Sequence, residues 1–189
     1  MVISERYFRY SAFSEIEKTL YYDRIYLFLR WVSVEYPGFR QWYEGMFWED
    51  KTLRRGREII VCEKDCRIAG IAILKSTKNE KKICTLRVEK LYRKQGIGRK
   101  LMALSLEWLE SDKPLLTMDQ SRQYEFAGLL DYYGFSLEQM KKNYYGIFNT
   151  ELIYNGVLPE KVGTAAPPAG FLYLRGGRYI CAGGYEKRI

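Results

Sequence analysis

At 189 residues, with 47% hydrophobic and 29% charged side chains, the sequence has the composition of one folded domain and not of a disordered or collagen-like chain. The formal charge of +8 admits an anionic ligand, an acidic partner or nucleic acid. The absence of histidine excludes a serine or cysteine nucleophile activated by an imidazole.

The first 56 residues read as helical. Ile16, Leu20, Ile25, Leu27, Leu29 and residues 31–34 recur at roughly helical spacing after Ser14, a residue suited to an N-cap. A second helix is expected from about Pro37, with Phe39, Trp42, Tyr43, Met46 and Phe47 on one face as a core stripe. Residues 57–64 and 67–75 are β-branched runs joined around Asp65 and predict a hairpin. A polar loop is expected at 76–81 and a third strand at 82–88. Leu101, Leu104, Leu106, Trp108 and Leu109 give the next helix an apolar face, and Pro114 opens a short strand at 115–118. Residues 122–133 predict a helix stopped by Gly134, followed by antiparallel strands within 135–145 and 151–154. These elements give a domain over residues 1–156, with a helical part at 1–56 and a mixed α/β core at 57–156. Residues 157–189 read as a linker and an aromatic tail, either disordered or turned into a small hairpin at Arg-Gly-Gly-Arg.

No apolar run approaches the roughly 20 residues that span a bilayer, and the start MVISERYFRY lacks the apolar core of a signal peptide, so a cytoplasmic protein without membrane association is expected. Cys62, Cys66, Cys84 and Cys181 are too irregularly spaced for a disulfide framework or a zinc site, and no metal is expected.

The segment VEKLYRKQGIGRKL, residues 88–101, sets a basic, glycine-rich turn between a strand and a helix. Glycines let backbone N–H groups turn inward as a nest, and the following helix start adds further free N–H groups and a positive dipole end. Arg93, Arg99 and Lys100 add fixed charge, so the turn suits a diphosphate.

The spacing Arg93-x-x-Gly96-x-Gly98, five residues after Val88, resembles the acetyl-CoA signature of GNAT-type N-acetyltransferases, and AGLLDYYGF at 127–135 resembles the late helix of that family. The resemblance extends over residues 57–156 and is compatible with the first 56. It implies an α/β (α+β) fold with a mixed, mostly antiparallel central sheet flanked by helices, in which splayed strands form an acyl-CoA cleft. It further implies that Leu86, Arg87 and Val88 border the pantetheine arm, and that Arg93, Lys94, Gln95, Gly96, Ile97, Gly98, Arg99 and Lys100 hold the phosphates. Acetyl-CoA is then the co-substrate, and a primary amine on a small molecule, peptide or protein attacks the thioester directly in a ternary complex, with alignment and oxyanion stabilisation as the catalytic benefit.

The sequence departs from the family at two places. Lys82 stands where some members carry a glutamate base, and Leu130 where many carry a tyrosine acid. Tyr132, Tyr133 and Cys84 are the substitute candidates, with half-buried packing as the competing explanation of all three. Glu63 and Glu89, at strand ends, are expected to face solvent. Tyr36, Phe39, Trp42 and Tyr43 either border an acceptor cleft or fill the core. An acyl-CoA-binding or sensing module is the alternative to an enzyme. Nucleic-acid binding is disfavoured because basic residues alternate with acidic ones and no recognised motif occurs. Pairing of the chain with itself as a homodimer is left open.

Overall fold

Two β-branched runs set the centre of the molecule. The computed structural model describes residues 5–49, 52–145, 148–160, 171–174 and 178–181. These fall into two compact units, Met1–Leu158 and Pro159–Ile189.

In the first unit the chain runs β1 (Arg6–Arg9), α1 (Glu15–Leu29), α2 (Val32–Glu35), α3 (Phe39–Met46), a short ribbon of β2 (Phe47–Glu49) and β3 (Thr52–Leu53), then β4 (Arg57–Lys64), β5 (Arg67–Thr77) and β6 (Glu80–Val88). It continues through α4 (Ile97–Leu109), β7 (Leu115–Asp119), α5 (Gln123–Tyr132), β8 (Leu137–Lys142) and β9 (Thr150–Tyr154). Seven strands form one sheet in the order β1-β4-β5-β6-β7-β9-β8. Every pairing is antiparallel except β6 with β7. The expected mixed, mostly antiparallel sheet flanked by helices is therefore present. In the second unit, β10 (Phe171–Leu174) pairs antiparallel with β11 (Arg178–Cys181). The turn at 175–177 and most of the linker, 161–170, lie outside the described residues.

The central runs of β4 and β5, residues 59–62 and 68–74, are apolar because both sheet faces are covered. Ile60, Cys62, Ala72 and Leu74 pack with Ile97, Leu101, Met102 and Leu130 of α4 and α5. Ile59, Val61, Ile71 and Ile73 pack on the other face with Tyr21, Ile25 and Leu29 of α1 and Phe39 and Tyr43 of α3. Alternation along a strand thus assigns each residue to one of two cores. Gly70 lets α4 approach β5, since a Cβ there would stand 2.8 Å from Leu101 Cδ1 and 3.1 Å from Ile97 Cγ2.

Several expectations are corrected. The helix after Ser14 forms, closed by a capping box with Glu17, but its buried face is Tyr21, Ile25 and Leu29. Ile16, Leu20, Leu27, Trp31 and Val34 are exposed. Phe47 leaves the helix to begin β2. Residues 76–81 are not a loop: β5 and β6 extend to Thr77 and Glu80 around a two-residue turn, braced by the Lys75–Glu80 ion pair and a Glu80 N–H donated to Thr77 Oγ1 at 3.1 Å. Glu63 is buried, held by Arg24 at 2.8 Å and Arg6 at 3.7 Å. Strand β1, which supplies Arg6, lies at the sheet edge in a segment whose polar composition hides it.

Candidate active site

The site begins where the sheet forks. β6 pairs with β5 along its whole length, to Val88, but with β7 only at Lys82↔Leu115 and Ile83↔Leu116. Beyond that point the edge of β6 facing β7 has no ladder partner. A bulge falls at the same place: Ile73 pairs with Thr85 and Leu74 with Ile83, leaving Cys84 as the extra residue. The bulge explains why Ile83 and Leu86, an odd number apart, both join the α4-side core, while Cys84 joins the α1-side core.

At the end of β6 the chain enters the glycine-rich turn. Glu89 caps a short 3-10 turn by accepting from the Lys90 N–H. Lys94 and Gly96 then adopt positive φ, 60° and 88°, and Gly96 becomes the N-cap of α4. Its left-handed backbone is the reason for glycine here, and a Cβ at this position would meet no atom within 4 Å. The first helical bond is Lys100 N–H to Gly96 C=O. The backbone N–H groups of residues 96–99 consequently have no acceptor among the described residues. Lys94, Arg99 and Lys100 are exposed around them. Arg93 is committed elsewhere: its Nε donates to Val88 C=O at 3.3 Å and its guanidinium pairs with Glu125 at 3.2 Å.

Below the turn, the fork opens into a cavity of about 320 Å³. Its walls come from α2 and α3 (Tyr36, Phe39, Trp42), from β6 (Cys84, Leu86, Arg87), from β7 (Thr117, Asp119), and from Arg122, Phe126, Tyr145 and Glu151. The α2 wall is fastened across the fork. Tyr36 Oη donates to Glu151 Oε2 at 3.2 Å and accepts the Asp119 N–H at 3.1 Å, and Arg122 binds Glu35 at 3.0 Å. Asn149 Nδ2 donates to Glu35 C=O at 3.1 Å.

Glu151 carries the most perturbed carboxyl on this wall. It lies on β9 opposite Asp119 and is 2% exposed. Burial pushes its pKa from 4.5 up to about 7, against hydrogen bonds from the Thr117 and Tyr36 hydroxyls that favour the carboxylate. A carboxyl balanced near neutrality inside a cavity is suited to accept a proton. Burial also raises the Tyr36 and Tyr145 phenols and the Cys84 thiol, so all three stay protonated at neutral pH.

The structure brings together some of the residues singled out from the sequence and separates others. Leu86, Arg87 and Cys84 line the cavity, as do Tyr36, Phe39, Trp42 and Lys82. Tyr43 does not; it is core, donating its hydroxyl to Tyr22 C=O. Tyr133 donates to the Arg99 C=O at 3.0 Å, and Tyr132 stacks under the Arg99 guanidinium at 4.4 Å, away from the cavity. Gln95 receives Lys64 on its side-chain oxygen and donates to Leu91 C=O. Glu151 was not legible as a site residue, because its strand reaches β7 from far along the chain. The available signal was an acid opening the apolar run Leu152–Tyr154. Among the described residues no group of three or more His, Cys, Asp or Glu could hold a metal ion, and no helix is long and apolar enough to cross a membrane.

Solved structures share this architecture. Ard1 from Thermoplasma volcanium superposes with a TM-score of 0.56 at 16% identity, covering 80% of this chain and 96% of that one. A GNAT family acetyltransferase from Elizabethkingia anophelis, with acetyl-CoA bound, gives 0.54 at 18% identity over 79% and 95%. The IAA acetyltransferase of Bacillus cereus gives 0.54 at 16% identity over 80% and 97%. At such identities the likeness is one of fold. No curated protein matches the sequence. The sequence itself carries the family signal: residues 25–121, just over half of the chain and including the fork and the turn, match the acetyltransferase (GNAT) family, to which this chain belongs.

Proposed function

We infer that this protein moves an acetyl or related acyl group from acyl-CoA to a primary amine, by direct attack within a ternary complex. The observation that carries this function is the row of backbone N–H groups at residues 96–99, unmatched by any acceptor among the described residues and placed just beyond an unpaired strand edge. Such a row fits a diphosphate: successive donors are free, the start of α4 adds positive potential, and Lys94, Arg99 and Lys100 supply neutralising charge. Arg93 contributes by bracing Val88, since its guanidinium is held by Glu125 and its backbone N–H by Lys90 C=O.

The free edge of β6 from Cys84 to Leu86 supplies N–H and C=O groups to a pantetheine amide and to the thioester oxygen. Glu151 takes the proton from the acceptor amine. This replaces the missing glutamate at position 82, where Lys82 instead favours the ionised form of Glu151. Tyr145 is the protonated hydroxyl on the wall able to return a proton to the departing sulfur, a role that Tyr132 and Tyr133 are too remote to fill. Cys84 remains a neutral thiol, in keeping with attack by the amine and not by the enzyme.

Heat-melting with and without acetyl-CoA, together with free-thiol release across an amine panel, tests this function. Saturation at a hundred times the dissociation constant adds roughly 2.7 kcal/mol, so a melting point unmoved by acetyl-CoA sinks the proposal. Stabilisation with no thiol release from any amine would mark an acyl-CoA-sensing module.

A further inference from the structure

Among the described residues six charged side chains line the cavity, and four of them are held by ion pairs or hydrogen bonds. Arg122 is paired with Glu35 and Glu125 at 3.0 and 2.9 Å. Asp119 accepts the Ser121 N–H, and Glu151 and Glu35 are held as described above. Lys82 has its ammonium 5.9 Å from the Tyr145 ring and close enough to act on Glu151. Arg87, like Lys82, has neither, and the Glu89 and Glu35 charges act on it without forming an ion pair. Among the described residues it has no ion pair, its Nε is buried with no hydrogen-bond partner, and its guanidinium carbon lies 5.7 Å from the centroid of the Phe28 ring of α1. The Nε of Arg122 is likewise buried and unpartnered. Burial first, and then the Arg122 charge, disfavour the cationic form of Arg87. A half-buried guanidinium beside a second one, lining the cavity with an unpartnered Nε, is suited to an anion.

The direction of Arg87 says where that anion belongs. Leu86 and Val88 pack into the α4-side core, so the residue between them projects to the opposite face, toward α1. The N–H row at 96–99 lies at the start of α4, the helix that packs on the other face of β6. Arg87 lies four residues beyond Ile83, about 13 Å past the fork along β6. Glu151, opposite Asp119, stands three residues past the fork along β7. The carboxyl that accepts the amine proton and the unpaired guanidinium thus line one cavity at similar heights past the fork, on strands separated by β7, with Tyr36, Phe39 and Trp42 on its α2 and α3 wall.

We propose that the acceptor is a small amino acid or amino-carboxylate, held by its carboxylate on Arg87, with its amine at Glu151 and an apolar or aromatic side chain against Tyr36, Phe39 and Trp42. This assignment rests on the transferase function proposed above. A cavity of about 320 Å³ matches the lower end of small-molecule sites and favours a free amino acid over a folded protein surface.

The experiment compares kcat/KM for L-phenylalanine, phenylalanine amide and phenethylamine with acetyl-CoA, using the full chain and following thiol release. A charged hydrogen-bonding partner predicts that phenylalanine is preferred about 10- to 100-fold, through KM. In Arg87→Gln that ratio collapses toward one, and in Arg87→Lys part of it survives. Circular dichroism checks that both variants fold. Equal or better use of phenethylamine by the wild type overturns the proposal while leaving the transferase function intact. Preference for succinyl-CoA over acetyl-CoA with phenethylamine, lost in Arg87→Gln, would place the anion on the acyl chain and also overturn it. If none of the three amines is turned over, melting of the CoA-saturated protein decides: phenylalanine must add stability in the wild type and not in Arg87→Gln. Failure of acetyl-CoA itself to stabilise the protein removes the underlying function instead.

Discussion

A single carboxyl on β9 links chemistry to stability. Glu151 keeps its proton in the folded protein up to about pH 7, whereas its ordinary value is 4.5. Between those values the folded state holds more protons than the unfolded one, so stability falls as pH rises through the window and stays lower above it. The penalty is about 3 kcal/mol when Glu151 is fully ionised. Glu151→Gln retains a side-chain oxygen for the Tyr36 and Thr117 hydroxyls and removes the ionisation. It is therefore expected to melt higher than the wild type at pH 8 and nearly level with it at pH 4.5. If Glu151 is the base, kcat/KM rises with pH through about 7, and the Gln variant loses that limb along with roughly 10²- to 10⁴-fold in rate. A variant that gains stability at high pH with its pH–rate profile unchanged would make Glu151 a buried wall residue and no more.

At the scale of elements, the fork and the turn behave as one device, because β6 ends where the N–H row begins. Gly96→Ala separates folding from ligand binding. The added methyl meets no protein atom, so the cost comes from φ = 88° alone, about 1–2 kcal/mol and a few degrees in a domain of this size. The expected result is a modestly lower melting point with the acetyl-CoA increment largely lost. An undiminished increment would mean that the turn does not hold the phosphates. This device was legible in sequence because everything that makes it is local: β-branched runs, two glycines at fixed spacing and an amphipathic helix. The same holds for β4, β5 and α4. What escaped depends on distant partners. The buried face of α1 is chosen by the sheet it lies on, which selects Tyr21, Ile25 and Leu29 over the more aliphatic Ile16, Leu20 and Leu27. The bulge at Cys84 is a matter of register between two strands, and no feature of a single strand announces it. Arg87 was expected beside the pantetheine arm, but its lack of an ion pair among the described residues follows only from the pairing of Glu35 and Glu125 with Arg122.

For the whole molecule, the division near Leu158 predicts how the chain can be cut. The seven-stranded sheet, the N–H row and the residues lining the cavity all fall within Met1–Leu158. That unit closes with a buried Leu158, whose N–H donates to Gln139 Oε1 at 3.0 Å. The strand pair in the second unit has four residues on each side, and a two-stranded ribbon of that size is marginal by itself. Termination after Glu160 keeps the Leu158 anchor and removes the second pair. The shortened chain is expected to melt cooperatively, near the full-length value, and to show the same stabilisation by acetyl-CoA. Should it aggregate or lose the increment, residues 161–189 contribute to the transferase unit, and the boundary near Leu158 separates contacts without separating stability. Cooperative melting with cofactor stabilisation retained but thiol release lost would confine the contribution of the tail to acceptor handling, since folding and the N–H row would both have survived its removal.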